Sequence, residues 1–64
     1  MNNTMKKTVE AERICVAVKG ERGKVIVNGK LLLTSTVVDT YRSIMHGTIS
    51  VETRNTIYVC KQAV

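Results

Sequence analysis

Two apolar runs, Val25 to Val27 and Leu31 to Leu33, flank the dipeptide Asn28-Gly29. That pattern predicts a two-residue hairpin turn, because both central positions need φ > 0 and Asn and Gly tolerate it best. The turn sets Val25 opposite Leu32. Upstream, Arg13-Ile-Cys-Val-Ala-Val-Lys19 is β-branched and alternating, which suits a strand. Gly20-Glu-Arg-Gly23 supplies turn residues after it. A two-residue turn at Glu21-Arg22 places Val18 opposite Val25 and Val16 opposite Val27. Both turns then assign one face to Ile14, Val16, Val18, Val25, Val27 and Leu32, and the other to Cys15, Ala17, Ile26, Leu31 and Leu33. Agreement between two turns supports this register, since a slip of one residue would invert every side chain.

The period changes from Thr34 to His46. On a helical wheel Val37, Val38, Tyr41, Ile44 and Met45 form a stripe of core-facing width, while Asp39, Arg42, Ser43 and His46 point away. Thr36 with Asp39 resembles a capping arrangement, Gly47 suits a helix end, and His46 sits where the helix dipole favours a cation. Thr34, Thr36, Val37, Val38 and Thr40 lower helix propensity, and an extended strand over Leu31 to Val38 is the competing reading. Thr48 to Thr53 alternates cleanly and Thr56 to Lys61 follows after Arg54-Asn55, predicting a second hairpin. A two-residue turn there pairs Ile49 and Val51 with Tyr58 and Cys60. A three-residue loop groups them with Val59 instead, and is favoured because it collects the aliphatics.

The expected fold is therefore α+β: a β-β-β-α-β-β order with one antiparallel sheet and one helix packed on it. Residues 1–12, polar and without periodicity, are expected to be a flexible lead-in. Residues 13–64 then form a single small domain. A chain of 64 residues buries only about 60% of the surface its unfolded state exposes, so its stability calls for a staple or a second copy. Neither face of the predicted meander can be left bare, which points to a homodimer through Cys15, Ala17, Ile26, Leu31 and Leu33. A monomer in which the helix and second hairpin cover both faces is the competing arrangement.

Ten Lys and Arg against five Asp and Glu give a formal charge of +5. Such a balance favours anionic partners, although the charge is scattered along the chain. The predicted register sets Lys19 directly across from Lys24, with Arg22 at the tip. Opposed like charges are unfavourable unless an anion lies between them, so these three, extended by Lys30 and Arg42, form a candidate nucleic-acid or nucleotide-anion site. The competing reading is long side chains splayed into water. Tyr41 and Tyr58 are the only aromatics, too few for a base-stacking platform.

Catalytic and metal chemistry finds little to work with. His46 is the only histidine, and Cys15 and Cys60 have no neighbouring thiol, so neither a metal nor any other cofactor is expected. Both cysteines fall mid-strand, where they act as small hydrophobes. Asp39, Glu52 and His46 form no acid–base motif, and Gly20-Glu-Arg-Gly23 lacks the setting of a phosphate loop. With no leader or membrane-length apolar run, a cytoplasmic location without membrane contact is expected. The expected function is a non-enzymatic, basic binding module that takes nucleic acid or a nucleotide-type anion as a homodimer. The alternative is an interaction module or inhibitor, of phage or mobile-element type, that blocks a larger protein partner.

Overall fold

A computed structural model describes residues 6–61. The described residues hold six strands and no helix: β1 Lys7–Ala11, β2 Arg13–Val16, β3 Arg22–Val27, β4 Lys30–Ser43, β5 Thr48–Thr53 and β6 Thr56–Lys61. They form one six-stranded sheet in the order β1-β6-β5-β4-β3-β2, curled into a half-barrel. All neighbours are antiparallel except β1, which runs parallel to β6 with Val9 beside Tyr58 and Ala11 beside Cys60.

The curl follows from connectivity. β1 and β2 are the two edge strands of the sheet, yet only Glu12 separates them in sequence. Flat, six strands place their edges about 24 Å apart at 4.8 Å per strand. Ala11 and Arg13 can be at most about 7 Å apart across Glu12. The sheet therefore rolls until its edges meet at that corner. Glu12 N–H donates to Ile26 O at 2.7 Å, while Gly29 N–H donates to the Glu12 carboxylate at 3.2 Å. The Cys60 thiol also approaches Glu12 O at 3.5 Å.

β4 makes the other half of the curl. Its first half pairs with β3 and its second with β5, and the exchange of partners falls between Thr36 and Val37. Register shifts flank the exchange, one across Arg22 and Lys24, the other between Val37 and Asp39. Bulges of this kind bend a strand and let it pass from one part of a sheet to another. Val37, only 1% exposed, is fixed at the bend: its N–H donates to Glu21 O at 2.8 Å and its carbonyl accepts from Gly20 N–H at 2.9 Å.

The predicted helix over Thr34 to His46 is absent, so the fold is all-β and not α+β. The residues that weakened the helix, Thr34, Thr36, Val37, Val38 and Thr40, are those that favour a pleated strand. The helical stripe splits accordingly. Val37 is buried, Val38 and Tyr41 are exposed, and Ile44 and Met45 stand in the β4–β5 turn. Gly47, at φ 62°, serves that turn and not a helix end. Residues 7–11, expected within a flexible lead-in, form β1, and Ala11 joins the core. Met1 to Met5 of that lead-in lie outside the described residues.

The hairpins divide between agreement and correction. Asn28, at φ 53°, and Gly29, at φ 76°, form the predicted turn, and Val25 lies opposite Leu32. The first hairpin differs: β2 stops at Val16, which pairs with Lys24, and residues 17–21 make a wider connection than the two-residue turn expected. In the second hairpin Val51 faces Tyr58 and Ile49 faces Cys60. That is the two-residue register at Arg54-Asn55 and not the favoured three-residue loop. Thr53 Oγ1 decides it locally, donating to Thr56 O at 2.9 Å and accepting Thr56 N–H at 3.2 Å.

The core is Ala11, Val25, Val37, Val51, Tyr58 and Cys60, supported by Val9, Ile14, Ala17 and Val27. A small polar contact closes it beside the bend. Thr34 Oγ1, in a residue 1% exposed, accepts the buried Gly23 N–H at 2.8 Å and donates to Ser35 O at 2.7 Å. A Cβ on Gly23 would meet Val16 O at 2.8 Å and Val37 Cγ2 at 3.2 Å, so the strands come this close only around glycine. Two losses are expected in urea denaturation. Thr34→Val, which orphans the Gly23 amide, costs roughly 1–3 kcal/mol, and Gly23→Ala, which overpacks the bend, costs a similar ~1–3 kcal/mol. Unchanged midpoints would show that the bend does not depend on this contact.

Candidate binding surface

Leu31, Leu32 and Leu33 are the chain's only leucines. They are 64%, 40% and 49% exposed. A small core would ordinarily take its largest aliphatics first, yet valine fills this one. The reason lies in the ladder. Val25 pairs with Leu32 on the inward face, and Ile26 with Leu31 and Lys24 with Leu33 on the outward face. Arg13 lies beyond Ile26 on β2; a register shift between Ile14 and Val16 then sets Val16 beside Lys24 on that face, with Cys15 exposed at the shift. The outward face of β2, β3 and the first half of β4 therefore carries Val16, Ile26, Leu31 and Leu33 with Arg13 and Lys24 among them, and Cys15 is exposed at its margin.

This face contains most of the residues expected at an interface. Ile26, Leu31 and Leu33 come together, Cys15 is exposed beside them, and Ala17 departs to pack on the core. Ala17 turns inward because β2 has already ended, so the strand alternation that assigned it no longer applies. Of the anion-site residues, Arg22 and Lys24 are neighbours on β3 and the other three belong to other parts of the chain. Lys19 belongs to the β2–β3 connection, and Lys24 has Val16 and Leu33 as its cross-strand neighbours, so the opposed Lys19–Lys24 pair does not form. Arg22 Nε donates to Thr34 O at 2.8 Å, which gives it a place in the bend. Lys30 opens β4 beside the turn, whereas Arg42 lies in its other half, opposite Ile49.

Three further features escaped the sequence pattern. Ile44 and Met45, 90% and 88% exposed, stand at the β4–β5 turn, where Ser43 Oγ accepts His46 N–H at 3.3 Å. A depression of about 240 Å³ is lined by Glu10, Ala11, Glu12, Thr48, Val59 and Lys61; small-molecule sites usually need about 300–1,000 Å³. The third is a polar cluster on β4 and β5. Tyr41 Oη donates to Glu52 Oε1 at 2.6 Å, Lys6 Nζ pairs with Glu52 Oε2, and Lys6 Nζ also donates to Thr53 O at 3.0 Å. Asp39 faces Glu52 across the ladder, and Tyr41 is its diagonal neighbour. Reading residues 37–43 as a strand paired with β5 would have brought Tyr41 to Glu52.

No three His, Cys, Asp or Glu side chains come together among the described residues. Cys15 and Cys60 are free thiols, the first exposed and the second buried. No helix among the described residues is long and apolar enough to cross a membrane. Comparison with protein-family models, with curated proteins and with solved structures finds no match.

The polar cluster responds to pH at both ends. The hydrogen bond from Lys6, then that from Tyr41, holds the Glu52 carboxyl below the usual glutamate range. A depressed folded-state value stabilises above the unfolded value and loses that effect as pH falls through the folded one. For Tyr41 the Glu52 hydrogen bond comes first, and the phenol is pushed up from 10.0 to about 12. That contribution is complete below pH 10 and disappears as pH rises through about 12. In an ultraviolet titration of tyrosinate, Glu52→Gln is expected to return the Tyr41 transition toward 10. A transition that stays in place would dissolve the pair.

Proposed function

We propose that this chain is a non-enzymatic binding module that engages another polypeptide through the outward face around Leu31 and Leu33. The observation that carries the reading is the placement of the chain's only leucines, consecutive and exposed, beside Ile26 and at the end of a well-defined hairpin. Single exposed apolar residues are ordinary, but a contiguous set framed by charge is the usual form of a protein contact. Arg13 and Lys24 supply that frame, and they suit a partner whose contact segment is apolar with acidic residues. Burial of one leucine contributes about 1.5–3 kcal/mol, so this pair could govern affinity by itself.

The nucleic-acid reading rests on the net charge of +5. Arg22 and Lys24 share β3, but Lys19 belongs to the β2–β3 connection and Lys30 and Arg42 to opposite ends of β4, which weighs against a single phosphate track. A peptide-display selection on the immobilised protein separates the two. Enriched apolar–acidic peptides are expected, with affinity falling at least about tenfold on Leu31→Lys/Leu33→Lys. Failure to enrich any peptide, together with oligonucleotide binding that collapses with salt and weakens in Lys19→Ala/Lys24→Ala, would overturn the reading.

A further inference from the structure

The first half of β4 has a partner on one side only. Over Lys30 to Thr36 it pairs with β3, and no other described strand pairs with it there. The turn fixes which of its amides are free. A two-residue turn bonds the residues flanking it, here Val27 and Lys30, and antiparallel pairs alternate between bonded and non-bonded. Val25–Leu32 is then a bonded pair, while Leu31 and Leu33 direct their N–H and C=O groups away from β3. Native sheets guard such an edge with charge, proline or a covering segment. Here the guard is Lys30 alone, followed by the three leucines.

We infer that this edge is completed by a second copy of the chain, paired antiparallel across a two-fold axis at Leu32. The inference goes beyond the docking reading above: it concerns the backbone edge next to the outward face, and its occupant is a copy of this chain. Its support is that the edge is self-complementary. About that axis Leu31 of one copy faces Leu33 of the other, both present their backbone groups to the open side, and each N–H meets a carbonyl of the second copy. Leu32 faces Leu32 as the intervening non-bonded pair, so the inward row Ile14, Val25, Leu32 continues into its own image. On the outward face the four copies of Leu31 and Leu33 meet, flanked on either side by Ile26 and Lys24.

Charge allows this register and composition selects it. Lys30 falls opposite Thr34 and not opposite its own copy. The two copies of Lys24 lie three strand spacings apart and two residues out of line, about 16 Å, which exceeds the screening length of about 8 Å at physiological salt. Moving the axis to Leu31 or Leu33 sets Gly29 or Ser35 against a leucine, so the axis at Leu32 is the one that matches leucine with leucine throughout. The edge is short beside the ~800 Å² that each partner of a stable complex usually buries. A reversible, concentration-dependent dimer is therefore the expected form.

Sedimentation velocity over a micromolar-to-millimolar range, joined to residue-resolved amide exchange, tests it. The wild-type chain is expected to pass from monomer to dimer, and the Leu31 and Leu33 amides to gain protection over the same range. Leu31→Lys/Leu33→Lys is expected to remain monomeric with an unchanged circular dichroism spectrum, since both side chains point outward. N-methylation of the Leu31 amide in synthetic protein removes one of the two inter-copy donors of each copy and leaves the bonds to β3 intact. It is expected to weaken the dimer at least about tenfold. A chain that stays monomeric at millimolar concentration overturns the second copy, while the docking reading stands or falls by the peptide selection. A dimer whose Leu31 and Leu33 amides exchange freely, and which tolerates the N-methyl group, also overturns it, because face-to-face packing would then hold the copies together.

Discussion

One residue sets the shape of this protein. Glu12 joins the two strands that lie at opposite edges of the sheet, and a single peptide unit on either side cannot reach between the edges of a flat one. Everything else accommodates that corner. Its amide is bonded to Ile26, its carboxylate caps the Asn28-Gly29 turn, and the Cys60 thiol meets its carbonyl. The corner thereby ties β1, β3, β6 and a hairpin turn at one place. It also leaves β1 parallel to β6, a pairing between nearly opposite ends of the chain.

A curl this tight needs a strand that bends, and β4 supplies it. Bulges on either side of Thr36 and Val37 let one continuous strand serve β3 and then β5. The bend is held by close approach and not by bulk: Gly23 admits Val16 and Val37, Thr34 satisfies the Gly23 amide, and Val37 bonds the β2–β3 connection. Its consequence is that, among the described residues, neither half of β4 is paired along both sides. The half that carries the leucines presents a bare edge, so the geometry that closes the core also opens the surface.

The sequence made local features legible and left distant ones hidden. Asn28-Gly29 has the residues that positive φ demands, and the turn and the Val25–Leu32 pair follow from them. The strand from Thr34 was misread because Val37, Val38, Tyr41, Ile44 and Met45 fit a helical period, while bulges break the twofold alternation that marks a strand. β-branching was the better guide there. The lead-in hid β1 because its partner, β6, lies at the far end of the chain, and pairing at that separation leaves no local trace. For the candidate surface, the common face of Ile26, Leu31 and Leu33 was readable from the hairpin register. Lys19 and Lys24 were not, since their pairing depended on a tight turn that the structure replaces with a wider connection.

The corner and the bent strand make one claim: the two ends of the sheet are brought together in the same molecule. Nuclear Overhauser contacts in a uniformly labelled sample test it most directly. Backbone contacts are expected between Val9 and Tyr58 across the parallel pair, between the Glu12 amide and Ile26 at the corner, and between Val37 and Thr53 beyond the bend. Helical i to i+3 contacts from Thr36 through Tyr41, with no contacts at Glu12 or between Val9 and Tyr58, would contradict it.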